Sequence, residues 1–228
     1  MKTALSILLT AATILFFSTN TNAQKKKNFQ GTITYNITYP GANITPAMKA
    51  QLPTTQDVTV KDCKSKTEMI TGAVTQASIT DGTAKTKIVL IDYMGTKYSL
   101  KLTSAEIAES LAKDSMPVIT TTSDTKVIAG YTCKKAILAT TDEDGTITND
   151  TIYYSDEIGC SDLNFDTPFK DIPGAVLEYS IYIDQINANM KYTAKEVKKE
   201  KVSDNLFLIP SDYQEVTMEE FKKVFGGE

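Results

Sequence analysis

The sequence predicts a mainly β protein: a single β-rich domain of antiparallel strands interrupted by two short helices. Three observations predict it. Threonine, isoleucine, valine and tyrosine dominate the chain, and all four suit a pleated, half-buried surface. Apolar and polar residues alternate with a period of two from Phe29 to Tyr39. Turn pairs recur at short spacing, as in Asp81-Gly82, Met94-Gly95 and Asp144-Gly145. The 228 residues are ample for one core and short for two full domains, and no repeat or low-complexity linker divides them.

The first residues read as an address. Lys2 supplies a positive start, Ala4 to Phe17 an apolar run, and Thr21-Asn22-Ala23 the small-x-small pattern before a cleavage point. Residues 1–23 are therefore expected to be a signal peptide, with residues 24–228 forming the domain. An apolar run of about 14 residues falls short of the roughly 20 that cross a bilayer. No later stretch is apolar for longer, so the mature chain is expected to be exported, with no transmembrane segment. Its expected destination is the periplasm, the outer membrane or the extracellular space. Lys25-Lys26-Lys27 then reads as a solvated tail. Loss of residues 1–23 removes one lysine and no acid, leaving 23 lysines against 28 acids and a net charge of −5. A mildly acidic surface of this kind favours solubility over a polyanionic partner, so no nucleic acid is expected.

The first strand carries Ile33, Tyr35 and Ile37 on one face, and Pro40-Gly41 stops it. Residues 41–56 read as an irregular connection or a short helical excursion. Further strands are expected at 57–62, 66–71, 74–80, 85–92 and 96–102, then at 124–129, 131–141, 146–155, 174–184 and 189–202. Thr103-Ser104-Ala105-Glu106 is a capping box, after which Ile107, Ala108 and Leu111 line one helical face. Thr217-Met218-Glu219-Glu220 repeats the box before Phe221, Val224 and Phe225, and Gly226-Gly227 ends the helix. Both helices suit lying against a sheet, either plugging its edge or mouth or acting as a lid over a ligand.

Composition excludes whole classes of chemistry. The chain has no histidine, no arginine and no tryptophan. Without histidine there is no Ser-His-Asp or Cys-His catalysis and no imidazole metal site. Without arginine there is no bidentate clamp on phosphate or guanine. No glycine-rich phosphate loop and no G-x-S-x-G elbow occurs. The acids Asp142, Glu143 and Asp144 sit at a predicted hairpin tip, where turn chemistry accounts for them, and they lack calcium-loop spacing. An enzyme, a metal site and a cofactor are all unexpected.

Three cysteines in an exported chain imply one bridge and one thiol left over. With Asp144-Gly145 as the turn of a hairpin, paired residue numbers sum to about 289. Cys133 then faces Asp156, with Cys160 just beyond the strand. The expected bridge is Cys133–Cys160, with Cys63 free and buried; a redox pair is the alternative, against which stands the lack of any Cys-x-x-Cys.

Eleven tyrosines invite a binding cleft, because tyrosine pairs an apolar body with a polar tip. Ile33, Tyr35 and Ile37 share one strand face, and Leu177, Tyr179 and Ile181 share another. If the sheet curls, these six residues are the candidate lining of its concave side; ordinary core with satisfied hydroxyls is the other reading.

Three motifs also carry a resemblance. Val127-Ile128-Ala129-Gly130-Tyr131-Thr132-Cys133-Lys134-Lys135-Ala136 is similar to an I-x-G-Y-x-C-x-K-A strand. Thr151 to Ile158 is similar to a W-Y-T-x-x-I element, with Tyr153 at the tryptophan position. Asp171-Ile172-Pro173-Gly174-Ala175-Val176-Leu177-Glu178 resembles a Gly-Leu-Pro-Gly-Leu-Ile signature, with Asp171 replacing glycine. Together they resemble the family named for that signature (the GLPGLI family), exported proteins of Bacteroidetes, over roughly residues 124–225. The resemblance implies a strongly curved, half-open β-barrel like that of periplasmic lipoprotein carriers, closed by helices and holding acyl chains. It implies no catalytic residue. It also suggests O-glycosylation at Asp114-Ser115-Met116 and Asp150-Thr151-Ile152. The expected function is therefore to bind a lipid or other apolar ligand in the cell envelope. A structural or protein-interaction component of the envelope, with a filled core, is the alternative.

Overall fold

The computed structural model of the chain describes residues 29–41, 44–71, 74–113, 116–142 and 144–225. The expected signal peptide, the lysine trio, Asp114, Ser115, Glu143 and Gly226-Gly227 lie outside the described residues. Alternation and turns build one twelve-stranded sheet. Its first half is a meander of β1 (Gln30–Thr38), β2 (Thr55–Lys61), β3 (Lys64–Thr71), β4 (Val74–Asp81), β5 (Thr86–Tyr93) and β6 (Thr96–Leu102). The second half is β7 (Val118–Ile128), β8 (Tyr131–Thr141), β9 (Ile147–Ser155), β10 (Ala175–Ile183) and β11 (Ala188–Lys199). These strands lie where the residue pattern put them, within a few residues at each end except β7, which starts six residues earlier.

The two meanders meet where β1 pairs antiparallel with β11, giving the order β12-β6-β5-β4-β3-β2-β1-β11-β10-β9-β8-β7. Here β12 is Gln214–Glu215, a two-residue strand parallel to β6 that the pattern did not predict. So short a strand carries no periodicity to read. The edges β12 and β7 do not pair with each other, so the sheet is open.

The helices follow from their caps. In α2 (Ser104–Leu111), Thr103 and Glu106 bond reciprocally as the box requires, and Ile107 is the buried residue. In α3 (Met218–Phe225), Glu220 accepts from the Thr217 amide at 2.8 Å and donates its own amide to Thr217 Oγ1 at 3.2 Å. A third helix, α1 (Pro46–Lys49), fills part of the 41–56 connection, with Thr45 as N-cap and Pro46 at its first turn. Because β6 lies beside the β12 edge and β7 forms the other edge, the segment bearing α2 runs from one side of the open sheet to the other.

Three apolar clusters hold the sheet. The largest gathers Phe29, Ile33, Tyr35, Ile37, Val60, Leu177, Tyr192 and Cys133. A second joins Ala136, Leu138, Ile152, Tyr154, Ile172 and Val176. The third lies on the far side of the first meander: Ala77, Ile79 and Leu90 pack under Val202 and Phe207. That C-terminal strap is pinned by ion pairs Lys61–Asp204 and Lys97–Asp212, each at 2.7 Å. The apolar burial supplies most of its hold, since each fully buried large side chain is worth about 1.5–3 kcal/mol and an exposed ion pair far less.

Candidate functional site

Strands of both meanders line one cavity of about 590 Å3. Residues paired across neighbouring strands project to the same side, so the register defines each wall. On one side stand Val58, Thr67 and Ser78, paired in sequence across β2, β3 and β4, with Ser65 beside Thr80 and Thr80 beside Lys87. Gln56, Met69 and Gln76 continue that wall. On the other side stand Leu138, Ile152, Val176, Tyr179 and Ile181 from β8, β9 and β10. The two sets flank β1 and β11 in strand order and share one cavity, so the sheet curls around it.

The floor is the 19-residue connection 156–174 between β9 and β10. Long connections without secondary structure need anchoring, and this one is anchored throughout. Cys160 is disulfide-bonded to Cys63, in the tight turn between β2 and β3. Lys87 pairs with Asp166 at 2.8 Å, and the Asp166 side chain is only 7% exposed. Asn164 Nδ2 donates to the carbonyls of Ile172 and Gly174, at 2.8 and 2.7 Å. Ile158 and Ile172 are fully buried beneath it. Two glycines permit the close approach. A Cβ at Gly82 would lie 2.4 Å from the Asp162 carbonyl oxygen, and one at Gly174, whose φ is +78°, would lie 2.2 Å from that of Ser155.

The bridge corrects the expected pairing of Cys133 with Cys160. The observed pair is Cys63–Cys160, and Cys133 is the free, buried thiol. Two physical reasons account for the error. The β8–β9 turn is wider than two residues, with the Asp142 amide donating to the Thr146 carbonyl and paired numbers summing to 288, as in Lys134 opposite Tyr154. Moreover, 156–174 carries Cys160 to the β2–β3 turn, a contact across 97 residues that local pattern does not encode. Burial pushes the Cys133 thiol up to about 11, so it is protonated and unreactive at neutral pH.

The six sequence-chosen residues divide. Ile33, Tyr179 and Ile181 line the cavity. Tyr35, Ile37 and Leu177 belong to the buried core, at 4%, 3% and 0% exposure. Tyr35 donates its hydroxyl to the Val176 carbonyl at 2.7 Å, and its ring meets Tyr179 and Tyr192 edge-on. Tyr179 and Tyr192 stack with centroids 4.6 Å apart, and Phe169 of the floor meets Tyr179 edge-on at 5.5 Å. Burial raises all three tyrosine hydroxyls above their ordinary range, Tyr192 to about 12, so they act as neutral groups.

Residue reading missed the polar wall and the floor. The Ser65-Thr67 and Ser78-Thr80 pairs do alternate with neighbours on the other face, but a polar strand face normally turns to bulk water. Gln56, Ser65, Thr67, Gln76 and Ser78 make no side-chain hydrogen bond to another described residue, and Gln56 is only 9% exposed. The cavity's charges are Lys87 with Asp166, already paired, and the exposed Asp150. Among the described residues, no group of three or more histidine, cysteine, aspartate or glutamate side chains is placed to hold a metal ion.

A second cavity of about 480 Å3 lies between α2 and the floor, bounded by Ile107, Leu111, Met116, Phe165 and Lys170. There Lys85 pairs with Asp162 and sits 5.0 Å from the Phe165 ring centroid. Among the described residues no helix is long and apolar enough to cross a membrane. The chain matches no protein-family model and no curated protein.

Proposed function

We propose that this chain is an exported cell-envelope protein that binds a lipid or other apolar ligand in a half-open β-barrel and performs no catalysis. The observation that carries the reading is the cavity of about 590 Å3, within the 300–1,000 Å3 range of small-molecule sites. Its β8–β10 wall, with Leu138, Ile152, Val176, Tyr179 and Ile181, offers apolar side chains to an acyl chain. The disulfide supports an oxidising compartment and hence export. The missing histidine and arginine support a non-catalytic role. Kinship with the exported Bacteroidetes family, with its carrier-like barrel, rests on the three motifs alone.

A second reading, an envelope component that acts by protein contact, is favoured by one observation. Ile70, Tyr93 and Met94, at 64%, 49% and 75% exposure, lie at the same end of neighbouring hairpins. Mass spectrometry of the protein purified from its native host, intact and after organic extraction, separates the two. A stoichiometric apolar compound in the extract supports the binding reading. A clean intact mass with an empty extract rejects it in favour of the contact reading.

A further inference from the structure

The cavity is two-sided in chemistry, and the side opposite its apolar wall is lined by uncharged hydrogen-bonding groups. Serine, threonine and glutamine from three adjacent strands face it: Gln56 on β2, Ser65 and Thr67 on β3, Gln76 and Ser78 on β4. The strand register sets their spacing. Thr67 pairs with Ser78 and Met69 with Gln76, so hydroxyl and amide groups stand in rows about 4.8 Å apart between strands and about 7 Å apart along them. None is used by the protein itself among the described residues, and Gln56 is more than nine-tenths buried. No described side-chain nitrogen or oxygen is both buried and unpartnered, so these groups open onto the cavity, where a ligand hydroxyl or amide can take the place of hydration.

Charge narrows the class. Lys87, the lysine of this lining, is committed to Asp166 at 2.8 Å, and Asp150 adds a negative group. An anionic head would find no unpaired cation in this lining and would lose its hydration in exchange for neutral dipoles. A head bearing several hydroxyls or amides fits both the spacing and the neutrality.

We infer, resting on the apolar-ligand reading above, that the natural ligand is a neutral amphiphile. Its apolar part lies on the β8–β10 wall, and its hydroxyl- or amide-bearing head bonds to Gln56, Thr67 and Ser78. Fatty acids and phospholipid anions are disfavoured by the same wall.

Isothermal titration of the full mature chain with n-octyl-β-D-glucoside and with octanoate, each below its critical micelle concentration, tests this. The two probes share a chain length and differ in head. The glucoside is expected to bind at least about tenfold more tightly, the effect of a few neutral hydrogen bonds. The double variant T67V/S78A, and separately Q56L, should weaken glucoside binding by about tenfold while leaving octanoate binding within about threefold. Equal or tighter octanoate binding, or an equal loss for both probes in the variants, overturns the neutral-head inference and leaves the apolar-ligand reading standing. Binding of neither probe, in a chain whose disulfide and thermal transition are intact, overturns both.

Discussion

The two meanders use the same strand periodicity to opposite ends. In β2 to β5 Ala77, Ile79 and Leu90 turn away from the cavity and pack under the C-terminal strap, while serine, threonine and glutamine, interspersed with Val58, Val60 and Met69, line the cavity face. In β8 to β10 the apolar residues Leu138, Ile152, Val176 and Tyr179 face the cavity. There the opposite face carries charge: Glu178, 7% exposed, is held by Lys126 at 2.8 Å and Lys191 at 3.3 Å. Period-two alternation thus establishes that a strand has two faces without saying which face encloses space. That choice depends on what covers the other face, here a strap in one half and a charged network in the other.

The largest expected effect comes from cutting the link between the halves. The Cys63–Cys160 bridge closes a loop of about a hundred residues, worth roughly 3–5 kcal/mol by chain entropy. Urea denaturation of a C133A background with and without C63A/C160A should show a loss of that size; a loss under about 1 kcal/mol would mean the floor holds without its bridge. The same preparations report the pairing, because wild type and C133A should each carry one disulfide by intact mass.

The walls themselves should respond unequally. Ile152→Ala removes a side chain that is 1% exposed and should cost about 2–5 kcal/mol. Thr67→Val removes a hydroxyl with no described partner and should change stability by less than about 1 kcal/mol. Similar costs at the two positions would erase the contrast drawn between the meanders.

This asymmetry also shows what was legible in residues alone. Strand positions, both capping boxes and the apolar face of β1 were readable because each rests on neighbours two to four residues apart. Of the candidate lining, Ile33, Tyr179 and Ile181 were placed on the cavity, whereas Tyr35, Ile37 and Leu177 are packed into the core. In β10 an extra residue at Leu177 breaks the alternation, so Val176 rather than Leu177 joins Tyr179 and Ile181 on the cavity, a shift that period-two spacing does not show.

A smaller effect is expected at α2, the helix on the segment that joins the two sides of the open sheet. Thr103→Ala removes the hydroxyl half of a reciprocal cap and should cost about 1 kcal/mol, read as a lower urea midpoint with an unchanged slope. If α2 is a lid, the same change should speed ligand release more than it lowers stability.

The smallest and most specific effect is a pH dependence. Burial opposes the charge on Glu178, yet the hydrogen bond from Lys126 and the charge of Lys191 outweigh it and hold the carboxyl below its ordinary range. A lowered native value means the stabilisation is present above the unfolded value, near about 4.3, and is lost as pH falls through the native one. Glu178→Gln should therefore flatten the decline in stability between about pH 5 and 3 while leaving other slopes unchanged. An identical acid profile in the variant would show that the network contributes no charge-dependent stability.

The sequence by itself determined a β-rich domain, most of its strand boundaries, two capped helices and the absence of histidine- or arginine-based chemistry. Each of these follows from composition or from residues close together in the chain. Only the tertiary structure decided that Cys63 rather than Cys133 meets Cys160, that 156–174 forms a floor, and that the polar faces of β2 to β4 turn inward. Those outcomes depend on contacts between residues many tens of positions apart, where loop closure and the hand of the curl, rather than local propensity, choose the partner.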